Sequence, residues 1–87
     1  MLSRLTIELT NVSYTVSKNS LAGGASYTET KTAPSGKKYV GVLTKNGYVM
    51  GWSFPTDTTF KITIQNWNST STRNITGTVT AIVMDEN

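Results

Sequence analysis

The sequence predicts an all-β chain: a small, jelly-roll-like antiparallel β-sandwich of about six to eight strands. Three observations carry this. Apolar and polar residues alternate with period 2 in segment after segment, as in "LTIEL", "VSYTV", "FKITI" and "ITGTVTAIV". That spacing sends successive side chains to opposite faces of a strand. No window shows a stripe of period 3.6, and the strong helix formers Ala, Leu and Glu are scarce. Turn residues punctuate the chain at short intervals, at Gly23-Gly24, Pro34 to Gly36, Asn46-Gly47 and Pro55 to Asp57.

The elements follow in order. Leu5, Ile7 and Leu9 alternate with polar residues, and Val12, Tyr14 and Val16 then alternate on the opposite parity. A switch of parity predicts a bulge or tight bend at Thr10-Asn11. Gly23-Gly24 turns the chain. "SYTETKT" has no apolar stripe and reads as an outer or edge strand. "APSGKK" is a turn, with Pro34 setting φ and Gly36 free to take φ > 0. "KYVGVLT" carries apolar residues on both faces, which predicts a central or interfacial strand. Asn46-Gly47 predicts a hairpin leading into "YVMGWSF". There Tyr48, Met50, Trp52 and Phe54 share one parity and are expected in the core or in an inter-subunit core, with Val49 pointing the other way. "TDTT" is an Asx-type turn at Asp57. "FKITIQNW" places Phe60, Ile62 and Ile64 inward. "NSTST" is expected to close a further hairpin, and Ile75, Gly77, Val79, Ala81 and Val83 form the inner face of the last strand.

Composition narrows the function. Residues 1–87 make one domain with a single core. With 37% apolar residues and no Cys, burial barely offsets chain entropy, so a partner surface is expected to contribute. Self-association is the simplest source. Tyr39, Val49, Ile82 and Met84 are the candidate contact residues, the last three as an outward apolar patch. The net charge of +3 is spread along the chain and only Lys37 and Lys38 adjoin, so no nucleic-acid footprint is expected. No apolar run has the length of a membrane span, and the first residues lack the apolar stretch of a signal peptide.

The chemistry of catalysis is sparse. There is no His or Cys, and the acids are Glu8, Glu29, Asp57, Asp85 and Glu86. No pair among them is set up for acid–base work, so no catalytic residue, metal site or cofactor is expected. Attention falls on "QNWNSTSTRN". Counting from Phe60, Ile62 and Ile64, Asn66 shares the inward parity, while Gln65 and Trp67 point outward. Trp67 is a candidate for stacking on a sugar ring, with the amides of Gln65, Asn66 and Asn68 taking hydroxyls. The competing readings are a lid over the end of the fold and a subunit contact.

The second half has a recognisable order of parts. "SGKKYVGVLTKNGYVMGW" precedes "TTFKITIQNWNSTSTRNITGTVTAIVM". Over residues 25–84 this resembles the C-terminal domains of tail-fibre, baseplate and head-fibre proteins of phages and prophages of Gram-positive bacteria. The matching pieces are residues 36–43, 60–66, 68–72 and 75–84. The resemblance implies a non-enzymatic β domain of the virion, trimeric by preference. Its partners would be bacterial surface saccharide or other virion proteins, and it would be assembled in the host cytoplasm. It equally admits a purely structural role in the particle, or a free-standing lectin-like module.

Overall fold

The structure is a computed structural model that describes residues 8–86. Within that range the fold is all-β: β1 (Leu9–Leu21), β2 (Ser26–Thr32), β3 (Lys37–Gly47), β4 (Val49–Thr56), β5 (Thr59–Gln65) and β6 (Arg73–Asp85). They form two three-stranded antiparallel sheets, ordered β1-β6-β3 and β2-β5-β4. The chain runs out through β1, β2 and β3 and returns through β4, β5 and β6. Each outgoing strand is joined by a returning one, β1 by β6 and β2 by β5.

Both sheets contribute to one apolar cluster. Val16, Tyr39, Ile75, Val79, Ala81 and Val83 come from the first sheet, and Val49, Phe60, Ile62 and Ile64 from the second. These are the inward positions that the period-2 count predicts for β5 and β6. Toward the Leu9 end of β1 the core is aromatic. Phe54 stacks on Phe60 at 4.5 Å between centroids, Tyr39 packs on both, and the Tyr14 and Tyr39 hydroxyls hydrogen-bond at 2.7 Å. The lateral seams between the sheets are closed alike. Lys18 of β1 lies over the Tyr27 ring of β2, and Lys45 of β3 over the Trp52 ring of β4, at 5.2 and 5.5 Å from the centroids. A lysine so placed covers apolar surface with its stem while its ammonium meets the ring face and water.

Several expectations are corrected. Asn46-Gly47 makes a tight turn, with Gly47 at φ 76°, but no hairpin. β3 pairs with β6 and β4 with β5, so the turn is a corner between sheets. Tyr48 pins it: its N–H donates to Thr76 O and its carbonyl accepts from Gln65 N, one bond to each sheet. The segment 66–72 likewise crosses between sheets instead of closing a hairpin. Of the connections between successive strands among the described residues, only the Asp57-Thr58 turn joins neighbours in one sheet. The side-chain bonds of that turn come from Thr56 and Thr59, not Asp57.

No register shift occurs at Thr10-Asn11, where β1 and β6 pair without interruption. Leu9 faces outward, 61% exposed, whereas Val16 is buried, which accounts for the change of parity without a bulge. Leu5 and Ile7 lie outside the described residues. Register shifts fall instead on β3 and β4, both edge strands, and near the end of β1 between Lys18 and Leu21. One between Val49 and Gly51 lets residues of both parities face inward. Val49, opposite Ile64, is buried; Met50, at the bulge, is exposed; Trp52, opposite Ile62, keeps the inner face but is 41% exposed at the sheet edge. β3 is an edge strand and not a central one. Its apolar residues reach both faces because two bulges, at Val40 and Leu43, interrupt the alternation.

A candidate site at the Trp67 end

Three connections meet at one end of the molecule: residues 22–25, the 47–48 corner and the crossover 66–72. Asn66 organises them. It sits on the inward parity of β5 and is completely buried. Its Nδ2 donates to Leu21 O (2.9 Å) and Ser71 O (2.8 Å), and its Oδ1 accepts from Asn68 N (3.0 Å). Its backbone N–H donates to Ala25 O, and its carbonyl accepts from Gly24 N. A buried amide must be satisfied, and every group of this one is used inside the protein. Asn66 therefore positions the loop and has no donor or acceptor left for a ligand; this corrects the expectation that it contacts a sugar.

Gly23 packs flat on the crossover. A Cβ there would lie 2.9 Å from Asn68 O, Ser69 C and Thr70 N. Asn68 folds the next turn, its Oδ1 accepting from Thr70 N, Thr70 Oγ1 and Ser71 N. The Asn68 Nδ2 has no intramolecular partner among the described residues. Gln65 Nε2 donates to Gly24 O at 3.2 Å, and its Oε1 is likewise unpartnered among them.

Trp67 leaves this frame on the outward side, as its parity predicts, and is 59% exposed. It folds back to the corner and packs on Tyr48, with ring centroids 5.0 Å apart at 53°. Tyr48, placed by its two backbone bonds, is half-buried against the core, as its shared parity with Phe54 predicts; what sequence reasoning missed is its contact with Trp67. The strand corner had a signal, in Asn46-Gly47, but the approach of residue 67 to residue 48 has none in the sequence. No pocket opens among the described residues; exposed Trp67 on half-buried Tyr48 forms an aromatic platform at the surface, with Gln65 and Asn68 two residues before and one after Trp67 in the chain. No cluster of acidic side chains that could hold a metal occurs among the described residues.

The proposed contact residues separate into two groups. Tyr39 and Val49 are buried in the chain's own core, 6% and 3% exposed, and are unavailable to a partner. Ile82 and Met84 lie on the outer face of β6, half-buried. Comparison with known proteins finds no family, no curated sequence and no solved structure that matches this chain.

Proposed function

We propose that the protein is a non-catalytic, virion-associated phage domain, acting in tail, baseplate or head fibre as an oligomer that recognises host-surface glycan. The observation that carries the ligand part is the Trp67–Tyr48 platform, an exposed indole seated on a half-buried phenol ring at a braced loop. Indole and phenol faces stack on the C–H faces of sugar rings, and the Asn68 Nδ2 and Gln65 Oε1 are free for hydroxyls. The strand order supports the jelly-roll-like sandwich expected from the alternation and turn spacing. A chain folded out and back, with β1 beside β6 and β2 beside β5, follows the plan of a jelly roll shortened to six strands. Contacts of this kind contribute roughly 0.5–1.5 kcal/mol each, so one site gives about millimolar affinity. Several copies raise this through avidity.

A second reading, assembly or decoration of the particle without a ligand, is favoured by the apolar surface around Ile82 and Met84. Trp67→Ala separates the two. Trp67 contacts Tyr48 and is largely exposed, so its truncation should cost about 1 kcal/mol of stability. Binding to Gram-positive cells or their cell-wall polysaccharide should be lost. A variant that is stable and still binds as the parent does refutes the glycan site and leaves the assembly reading.

A further inference from the structure

Among the described residues four strands have a free edge, β1 and β3 in one sheet and β2 and β4 in the other. An unpaired edge is a template for another strand, and proteins blunt it with bulges, proline or charges turned inward. Three of these edges are blunted. β3 and β4 carry register shifts, and β4 also holds Pro55. β2 turns Glu29 and Lys31 to the inner face, opposite Ile62 and Phe60, where they form an ion pair. β1 is different. From Leu9 to Lys18 it pairs with β6 without a shift and holds neither proline nor glycine. The regular run ends between Lys18 and Leu21, where Ser20 takes φ 56°. Its charges stand at its two ends, Glu8 just before it and Lys18 at its close, and both share the inward parity of Val12, Tyr14 and Val16. Glu8 falls in the row of Asp85, which Lys37 already neutralises from the far side, and makes no ion pair among the described residues. Lys18 is exposed and reaches over the Tyr27 ring at the seam.

We propose that β1 pairs antiparallel with β1 of a second copy, across a two-fold axis through Ser13, and joins the two β1-β6-β3 sheets into one of six strands. The inference rests on the oligomeric reading above and names its contact and symmetry. A two-fold axis perpendicular to the sheet keeps inner face beside inner face, so residues opposite each other share a parity. Charge selects among the registers this allows. Only the one centred on Ser13 sets Glu8 opposite the partner's Lys18 and Lys18 opposite the partner's Glu8. The same register matches the unbroken run end to end, residues 8–18, and makes roughly ten backbone hydrogen bonds. On the inner face it sets Val12 opposite the partner's Tyr14, and Tyr14 opposite the partner's Val12. Both are half-buried against the core in one copy, so the pairing covers them and makes the two cores continuous. A slip of two residues either way leaves both charges without their partners.

The test is the mass in solution, by sedimentation over a range of concentrations, with crosslinking to read the register. The parent should reach twice the chain mass. Glu8→Lys and Lys18→Glu each turn two attractions into two repulsions and should weaken association about tenfold, and the two together should restore it. The chain has no Cys, so Ser13→Cys sets one thiol from each copy on the axis, at a separation a disulfide spans. Oxidised glutathione should convert it to a covalent dimer. Thr15→Cys, exposed on the same face, lies opposite the partner's Asn11 with its two copies roughly 13 Å apart, and should not crosslink. A parent that stays monomeric, or that sediments as a trimer, overturns the proposal. So do single charge reversals that the double reversal does not rescue, and a Thr15→Cys that crosslinks as fast as Ser13→Cys. Should Lys18→Glu fail to fold for want of its Tyr27 contact, Glu8→Lys and the two thiol variants still decide. Sugar binding by Trp67 is measured separately on cell-wall polysaccharide, so loss of the dimer and loss of the glycan site are told apart.

Discussion

Asn66 shows what a single buried amide does in a protein with few polar core residues. Its side chain holds Leu21 O, Ser71 O and Asn68 N together, and Asn66→Ala would leave all three without that partner. We expect a loss of about 3 kcal/mol in urea unfolding, since each buried orphan costs roughly 1–3 kcal/mol and water partly replaces the amide. The inward parity of Asn66 was legible in the sequence. Its role was not, because period-2 counting gives the face a side chain takes and says nothing of which carbonyls wait there. Tyr39 is a second case. Burial, and then the hydrogen bond to Tyr14, raise its phenol well above the usual range. The folded state thus holds the proton more tightly than the unfolded chain. Stability from this group is fully present below about pH 10 and falls as pH rises further, by up to about 1.4 kcal/mol per pH unit. Stability measured from pH 8 to 12 should bend downward near pH 10, and Tyr39→Phe should reduce that bend.

At the scale of elements, glycines set where the chain changes sheets. Gly47 has φ 76°, and a Cβ there would lie 2.6 Å from Thr76 O. Gly77 faces the core, where a Cβ would lie 2.7 Å from Val49 Cγ2 and 2.9 Å from Ile64 Cγ2. Gly47→Ala combines a left-handed backbone with a backbone clash and should cost about 2 kcal/mol or more. Gly77→Ala meets two side-chain methyls, which can move, and the Val49 backbone N at 3.3 Å, and should cost about 1–3 kcal/mol. Thermal unfolding of both variants checks the order. Strand positions in β2, β5 and β6 were legible because their alternation is unbroken. Those of β3 and β4 were not, because a bulge adds one residue, so that residues of opposite parity on its two sides share a face. Asn46-Gly47 announced a tight turn correctly, yet turn chemistry is local. Whether the strands it joins pair with each other depends on β5 and β6, which arrive later in the chain.

For the whole molecule, composition and alternation sufficed for the class: all-β, with two antiparallel sheets around one core. Strand order was beyond them, since antiparallel strands with Thr on one face and Val or Ile on the other can pair in many orders. The functional surface was half legible. Trp67 stood out as an aromatic among Asn, Ser and Thr, and its outward direction followed from Phe60, Ile62 and Ile64. Its partner Tyr48 depends on the corner between sheets. The central claim is that this platform meets sugar rings through stacking and neutral hydrogen bonds. It is tested most directly by following the two indole N–H resonances, of Trp52 and Trp67, while solubilised Gram-positive cell-wall polysaccharide is titrated in. We predict that the Trp67 signal moves with a per-site dissociation constant on the order of millimolar, while that of Trp52, under Lys45, stays in place. An unmoved Trp67, whether nothing binds or the perturbation falls elsewhere, would contradict the account.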